Sequence, residues 1–112
     1  MLELDVYNGC VVCRFKVKDT NKTYAGGFQL RDCGDRYEIW ALWIDGRRRN
    51  KGYGTQMLSE FLAGFKHDKP LILYVLKENA IAIHLYEKVG FRSCKEWKYS
   101  DRVITMKYEV KS

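Results

Sequence analysis

The sequence predicts an α/β domain built on one mixed β-sheet, and three patterns support this. Residues 10–18 (CVVCRFKVK) are rich in the β-branched and aromatic residues that strands favour. After Gly52 the apolar residues recur at helical spacing. Residues 71–76 (LILYVL) then form a short apolar run behind Pro70, as buried strands do. A strand, a helix and a strand within this length indicate a βαβ unit with parallel strands.

Three extended segments precede the first helix. Turn residues separate them at Asp19-Thr20-Asn21-Lys22 and at Cys33-Gly34-Asp35. The Gly26-Gly27 pair in the second segment predicts a β-bulge. The third segment (YEIWALWID) is apolar on both faces toward its end, which indicates a central strand. The predicted strands are 10–18, 23–31 and 37–45, and residues 1–9 receive no assignment.

Two helices are predicted on either side of the 71–76 strand. The first covers 53–66 and has one buried stripe, formed by Met57, Leu58, Phe61, Leu62 and Phe65. The second covers 80–89, since Asn79 suits the N-cap position and Gly90 suits the position after the last turn.

The tail alternates like a β-hairpin, with strands at 91–99 and 102–109 and a turn at Ser100-Asp101. The predicted order is therefore β-β-β-α-β-α-β-β, in a sheet that is parallel in the middle and antiparallel at both ends. Ligands of such sheets bind at the carboxyl ends of the parallel strands. Residues 43–55 and 76–86 should therefore line one cleft.

Length and composition indicate a single domain over residues 1–112 in the cytoplasm. The chain has 112 residues, of which 46% are apolar, and no apolar run long enough for a membrane span. The amino end (MLELDVYNG) carries acids where a signal peptide has basic residues. No membrane partner is expected.

The four cysteines predict no metal or redox site. Cys10 and Cys13 have C-x-x-C spacing, but residues three apart on a strand point to opposite faces. Cys33 and Cys94 are single and form no second such pair. Zinc or redox chemistry is the less favoured reading, and idle thiols in a reducing compartment are preferred.

The segment Arg49-Asn50-Lys51-Gly52-Tyr53-Gly54 predicts a phosphate site between a strand and a helix. Two glycines allow close approach of the backbone, and the first helical N–H groups have no intrahelical partners. The net charge is +6, and four of the twenty basic residues lie at 47–51. Such local basicity favours an anion site over a broad nucleic-acid surface. A basic nucleic-acid motif or a solvated loop remains an alternative.

Two segments together resemble the GNAT N-acetyltransferase superfamily. Residues 42–55 (LWIDGRRRNKGYGT) are similar to its motif A, with the core Arg/Gln-x-x-Gly-x-Gly/Ala. Residues 79–91 (NAIAIHLYEKVGF) are similar to its motif B. Both occur in order, on the expected elements, and the resemblance covers about residues 10–109. The family begins with a strand and two helices, whereas nine residues precede the first predicted strand, so this chain resembles a member truncated at its amino end.

The resemblance implies acetyl-CoA as the cosubstrate and no metal. It implies that backbone amides of about 49–55 hold the pyrophosphate and that the strand edge at 42–44 pairs with the pantetheine arm, which carries amides that can add to a sheet. A backbone N–H near Leu42 would stabilise the oxyanion of the tetrahedral intermediate. The implied cofactor-binding residues are Leu42, Trp43, Ile44, Arg49, Asn50, Lys51, Gly52, Tyr53, Gly54, Thr55 and Asn79.

Tyr86 and Glu38 are the candidate catalytic residues. The phenol of Tyr86 is suited to protonating the departing thiolate, although a helix-borne core aromatic is the alternative. Glu38 lies eleven positions before Arg49, where the resemblance to histone-type members implies the general base. Strand parity would place Glu38 with Trp40, Leu42 and Ile44, and apolar neighbours would raise its pKa. A solvent-exposed glutamate is the alternative. His67 and His84 are left unassigned.

The sequence therefore predicts an N-acetyltransferase that uses acetyl-CoA and a primary amine, on a small molecule or on a protein lysine or N-terminus. A homodimer or a partner protein would complete the acceptor site. Two other classes stay open: a module that binds acyl-CoA without transfer, and a basic nucleic-acid-binding protein, which would show steeply salt-dependent affinity.

Overall fold

One mixed sheet of seven strands organises the computed structural model, which describes residues 2–7, 10–16, 24–45 and 52–109. In chain order the elements are β1 (Leu2–Tyr7), β2 (Cys10–Phe15), β3 (Gly26–Asp32), β4 (Tyr37–Ile44), α1 (Tyr53–Gly64), β5 (Leu71–Leu76), α2 (Ala80–Val89), β6 (Phe91–Ser93) and β7 (Val103–Tyr108). The strand order is β1-β2-β3-β4-β5-β7-β6. β4 and β5 run parallel, and the other neighbours run antiparallel. The mixed sheet with a central βαβ unit is confirmed.

Both helices pack on the same face of the sheet. Met57 of α1 and Tyr86 of α2 join one buried core with Phe28 and Leu73 from the strands. The other face carries no helix among the described residues, and we call it the open face. Successive residues of a strand point to opposite faces of the sheet. The residues next to the core residues in each strand therefore lie on the open face. It includes Gln29, Glu38, Trp40, Tyr74 and Thr105.

A β-bulge in β4 changes which residues share a face. Gln29 pairs with Trp40, but Gly27 pairs with Trp43, so β4 carries one residue more than β3 in this interval. Ala41, in that interval, has φ 53°. The glycine pair therefore marks a bulge, as expected, and the extra residue lies in the partner strand.

The bulge makes the predicted parity of β4 wrong. Ile44 lies on the helix side, since a Cβ added to Gly26 would meet both its Cδ1 at 2.8 Å and the sulfur of Met57 at 3.3 Å. Leu42 likewise packs against the buried core. Glu38 and Trp40 lie on the open face, because Ile39 between them is in the core. The extra residue at Ala41–Leu42 reverses the alternation, which a strict period of two cannot show.

The amino-terminal residues form β1, which the sequence reading left unassigned. β1 pairs antiparallel with β2 from Leu2–Phe15 to Tyr7–Cys10. Its sequence, LELDVY, begins with alternating apolar and acidic residues, as a strand can, but the acidic residues have low β propensity. The dipeptide Asn8-Gly9 that follows is a strong hairpin signal and would have identified the strand.

The carboxy-terminal hairpin is confirmed, but its first strand is shorter than expected. β6 has three residues, and residues 94–99 are not a strand. Trp97 instead accepts a hydrogen bond at its carbonyl from the Thr105 hydroxyl, and Tyr99 packs against Trp40. Segment 94–102 therefore folds over the open face near β5 and β7, because tertiary contacts override the local alternation.

The ends of the helices follow the expected capping signals. The Asn79 side chain accepts a hydrogen bond from the backbone N–H of Ala82 at 3.2 Å, which confirms the N-cap. Gly90 has φ 115° and ends α2, as glycine commonly does. α1 ends at Gly64, two residues earlier than expected.

Candidate active site

β4 and β5 part from each other halfway along their length. They pair only at Tyr37–Leu71, Glu38–Ile72 and Ile39–Leu73. Beyond this point β4 pairs only with β3, and β5 pairs only with β7. An opening therefore lies between residues 40–44 and 74–76, which we call the β4–β5 split. Along it the backbone edge of β4 has no strand partner in the described part of the chain.

The amino end of α1 follows β4 and lacks a side-chain cap. Gly52 occupies the N-cap position with φ 77°, in the left-handed region that favours glycine. The first intrahelical hydrogen bond runs from Gln56 N–H to Gly52 O at 3.0 Å. The N–H groups of Tyr53, Gly54 and Thr55 therefore have no intrahelical partner among the described residues, and they lie at the positive end of the helix dipole, as in sites that bind anions. The predicted contributors Arg49, Asn50 and Lys51 lie outside the described residues.

Gly54 permits a close approach of the two helices. A Cβ at this position would lie 3.1 Å from Leu85 Cδ2 and 3.7 Å from Ile44 Cδ1. The glycine therefore brings the start of α1 against α2 and the end of β4. The structure thus assembles most of the predicted cofactor-binding residues around one end of the β4–β5 split.

The predicted strand residues present different faces at this edge. Leu42 and Ile44 are half-buried and pack against the core. Trp43 is 45% exposed and turns toward the open face, where its Nε1 lies 2.8 Å from the position of a Cβ on Gly27. Asn79 is exposed at the start of α2, and its Oδ1 is used by the N-cap.

Tyr86 is a buried phenol on the helix side of the sheet. Its side chain is 8% exposed and contacts Phe91 edge to face, with ring centroids 6.1 Å apart. Among the described residues no group hydrogen-bonds to its hydroxyl. Burial raises the pKa of Tyr86 above its ordinary value, so the phenol stays protonated in neutral solution. The group is chemically able to give a proton to a stronger base.

Glu38 is a buried carboxylate held by three donors on the open face. Trp40 Nε1 donates to Oε1 at 2.6 Å, and Oε2 accepts from Tyr74 Oη at 2.8 Å and from Arg36 Nε at 2.9 Å. Burial raises the pKa of Glu38, but these hydrogen bonds and the guanidinium of Arg36 outweigh it and lower the pKa overall. The expected raised pKa is therefore wrong, because the apolar environment contains polar tips that stabilise the charge.

Arg36 and Tyr74 belong to this arrangement and were missed by the sequence reading. Arg36 also pairs with Asp35 at 2.7 Å. Burial, followed by the hydrogen bond to Glu38, raises the pKa of Tyr74 to about 12. The available signal was a single polar-tipped aromatic in the apolar run LILYVL, since a buried tyrosine hydroxyl needs a partner.

The histidines lie apart from the assembled site, whereas the Cys33 thiol lies beside Glu38. Burial, followed by the charge of Glu38, raises the pKa of that thiol. His67 lies after α1, with Nε2 3.0 Å from Leu62 O, and His84 is exposed on α2. All four cysteines are free thiols, and burial raises the pKa of Cys13 to about 11. The described residues contain no cluster of three or more metal-ligating side chains. Neither described helix is long and apolar enough to cross a bilayer.

A family model described as the acetyltransferase (GNAT) family matches residues 4–91. The chain belongs to this family. The match spans both motifs recognised in the sequence and confirms the resemblance. No curated protein matched the sequence.

Solved structures of GNAT proteins share the fold. A family acetyltransferase from Elizabethkingia anophelis with acetyl-CoA bound has a TM-score of 0.75 at 19% identity, with 91% of this chain and 77% of that chain covered. The ribosomal-protein-S18-alanine N-acetyltransferase from Escherichia coli has a TM-score of 0.68 at 20% identity, with coverage of 92% and 70%. A mutant spermidine N-acetyltransferase from Vibrio cholerae has a TM-score of 0.69 at 22% identity, with coverage of 90% and 66%. The GNAT protein thus spans less than two thirds of the spermidine enzyme.

Proposed function

We propose that this GNAT protein transfers an acetyl group from acetyl-CoA to a primary amine by direct attack through a tetrahedral intermediate. The observation that carries the proposal is the β4–β5 split beside the uncapped amino end of α1. An unpaired strand edge suits the amides of pantetheine, and free helical N–H groups suit its pyrophosphate. The family membership supports the same cosubstrate.

In this proposal each predicted cofactor-binding residue has the role that the resemblance implied. Leu42, Trp43 and Ile44 offer backbone groups to the pantetheine arm. The segment from Arg49 to Thr55 holds the pyrophosphate, through Gly52 and its neighbours. Asn79 retains its amide NH₂ for the cofactor, since only its Oδ1 serves the N-cap.

The reaction requires one proton to leave the amine and one to reach the leaving sulfur. The amine nitrogen attacks the thioester carbon and forms the C–N bond, while the Leu42 backbone N–H stabilises the oxyanion. The neutral amine attacks, and its nitrogen becomes positively charged when the C–N bond forms. Glu38 accepts the proton that this nitrogen must lose, directly or through water, because Oε1 keeps acceptor capacity beside its hydrogen bond from Trp40. Collapse breaks the C–S bond, and Tyr86 gives its proton to the thiolate.

Purified protein with acetyl-CoA and simple amines tests the proposal. We expect heat of binding with acetyl-CoA by calorimetry and release of free thiol that depends on the amine. Binding without thiol release would favour the acyl-CoA-binding module. No detectable binding at millimolar acetyl-CoA would overturn both readings. A cytoplasmic location, and a homodimer or partner protein that completes the acceptor site, stay predictions.

A further inference from the structure

Three aromatic rings pack together on the open face beside the β4–β5 split. The ring centroids of Trp40 and Tyr74 are 5.4 Å apart, those of Trp40 and Tyr99 are 5.4 Å apart, and those of Tyr74 and Tyr99 are 5.0 Å apart. We call these three residues the aromatic cluster. Edge-to-face and tilted contacts at this range give the cluster a defined shape.

The aromatic cluster borders the carboxylate that would receive the acceptor's proton. The indole N–H of Trp40 and the hydroxyl of Tyr74 both donate to Glu38. With their polar tips engaged, the two side chains present only ring carbons to an approaching molecule. An amine that reaches Glu38 therefore brings its substituent against these rings.

The surroundings of the aromatic cluster add apolar surface. Tyr99 is 62% exposed, and Trp43 and Leu76 are 45% and 47% exposed at the carboxyl ends of β4 and β5. Large exposed apolar side chains grouped around an opening are typical of a binding surface. Leu76 shares the face of Tyr74 by strand alternation, and Trp43 lies on the same face beside Gly27.

The charges beside the aromatic cluster oppose a second cation. The Arg31 guanidinium already lies 4.8 Å from the centroid of Trp40. Three carboxylates of β3, β4 and the turn between them are already held by cations of this chain: Glu38 and Asp35 by Arg36, and Asp32 by Lys69. A polyamine would place its additional ammonium groups beside the positive charge of Arg31. It would form no ion pairs with these carboxylates in return, because they are already paired.

We infer, on the basis of the proposed function, that the acceptor is a small primary amine carried on an aromatic group. The aromatic cluster binds that group, with Tyr99 as its accessible wall. This inference names a substrate class for the proposed transferase and excludes polyamines as preferred acceptors.

Three amines with acetyl-CoA at saturation test the inference: 2-phenylethylamine, butylamine and spermidine. We expect kcat/KM to be at least about tenfold higher for 2-phenylethylamine than for butylamine, since the larger apolar group contacts the cluster. Spermidine should be the poorest of the three. Calorimetry with CoA-saturated protein should detect binding of 2-phenylethylamine at a lower concentration than binding of butylamine.

Tyr99 and a distant residue provide matched variants. Tyr99→Ala should raise KM for 2-phenylethylamine about tenfold with kcat retained, leave butylamine within about twofold, and leave acetyl-CoA binding unchanged. Tyr99→Phe should keep the preference for 2-phenylethylamine over butylamine that Tyr99→Ala loses, because the ring is retained. Val6→Thr, at a position 76% exposed on β1, should alter none of these values.

The outcomes separate this inference from the proposed function. Thiol release at similar rates with all three amines, or fastest with spermidine, would overturn the inference and leave the transferase standing. An equal loss for every amine in Tyr99→Ala would also overturn it. Faster acetylation of a peptide amine regardless of its first side chain would point to a macromolecular acceptor and contradict it. Thiol release that occurs equally when no amine is present would overturn the proposed function and the inference together.

Discussion

Glu38 illustrates how one buried side chain depends on the polar tips around it. The residue is 5% exposed, and burial by itself opposes its charge. Three donors reverse that effect, and the carboxylate stays ionised across the neutral range. Glu38 is therefore deprotonated, and able to accept a proton, throughout the neutral range, but its lowered pKa makes it a weak base. The acidic limb of the rate profile should follow the free amine of the acceptor rather than Glu38.

The lowered pKa of Glu38 predicts a pH-dependent contribution to stability. The carboxyl has a lower pKa in the folded protein than its ordinary value of 4.5, so its stabilisation is present above that value and is lost as the pH falls through the folded pKa. At pH 7, Glu38→Gln should lower the free energy of unfolding by about 2–3 kcal/mol, because charged hydrogen bonds are lost.

Urea unfolding at pH 7 and at pH 3 measures this difference. The gap between the wild type and Glu38→Gln should shrink at pH 3. Asp101→Asn is the control, since its pair with Lys98 is exposed and should change stability by no more than about 0.5 kcal/mol. A gap that is equal at both pH values would contradict the ionised state of Glu38.

Tyr86 predicts a kinetic effect without loss of cosubstrate binding. Tyr86→Phe removes the proposed proton donor and should lower kcat at least about 100-fold. The Kd for acetyl-CoA, measured by calorimetry, should not change. Because burial raises the pKa of Tyr86, the wild type should show no basic limb from this group below its ordinary value of 10. Tyr108→Phe, which removes a hydroxyl outside the site, should retain kcat, and equal rates in all three proteins would remove Tyr86 from the mechanism.

At the scale of single elements, glycines determine where the helices end and how closely they approach. Gly52 starts α1 with a positive φ, and Gly54 fits against Leu85. Gly90 ends α2 with φ 115°, and a Cβ there would lie 2.9 Å from Tyr108 Cε1. Gly64 is the last residue of α1, and nothing is within 4 Å of an added Cβ. Substitution by alanine should therefore have opposite effects on stability at Gly90 and at Gly64.

Alanine at two glycines provides a matched pair of stability measurements. Gly90→Ala should lower the free energy of unfolding by at least about 1–2 kcal/mol, because a left-handed φ is costly for alanine and Tyr108 must move. Gly64→Ala should raise it by about 0.5–1 kcal/mol, because alanine restricts the unfolded chain. Chemical denaturation of both variants measures the difference, and destabilisation of equal size in both would contradict the assignment.

The bulge in β4 shapes the candidate active site. The extra residue at Ala41–Leu42 reverses the alternation in the second half of β4. Leu42 and Ile44 therefore point toward the helices. Trp43 is directed to the open face, where its indole lies beside Gly27 of β3. The bulge occurs where β4 leaves β5, consistent with the general use of bulges to redirect side chains near sites.

At the scale of the whole molecule, the sheet separates two chemical surfaces. The helix side holds the core, the amino end of α1 and Tyr86. The open face holds Glu38 and the aromatic cluster. The β4–β5 split connects the two surfaces, so a thioester placed in it could meet an acid from one side and an amine from the other.

This arrangement predicts strong stabilisation by the cosubstrate. Acetyl-CoA at a hundred times its Kd should add about 2.7 kcal/mol to the free energy of unfolding, which corresponds to a rise of about 10 °C in Tm for a chain of this size. Thermal unfolding with acetyl-CoA, CoA and a short DNA duplex, over a salt series, measures it. A rise with DNA alone that decreases steeply with salt would instead support the nucleic-acid reading.

Local sequence signals were sufficient for much of the fold and for the cofactor side of the site. The strand 71–76 and the helix 80–89 were placed correctly because their periodicity and caps are local properties. β1 was missed although Asn8-Gly9 signalled its hairpin. Residues 94–99 alternate like a strand, yet their contacts with Thr105 and Trp40 hold them across the sheet.

By itself the sequence determined the family, the order of the elements from β2 onward and the glycine-rich start of α1, since these depend on neighbouring residues. Only the tertiary structure decided that β4 bulges, that Glu38 is ionised by donors from β4, β5 and the turn before β4, and that three rings from separate segments form one cluster. These features depend on residues far apart in the chain, such as Trp40, Tyr74 and Tyr99. Their energies arise only when folding brings the groups together, and no local pattern encodes that contact.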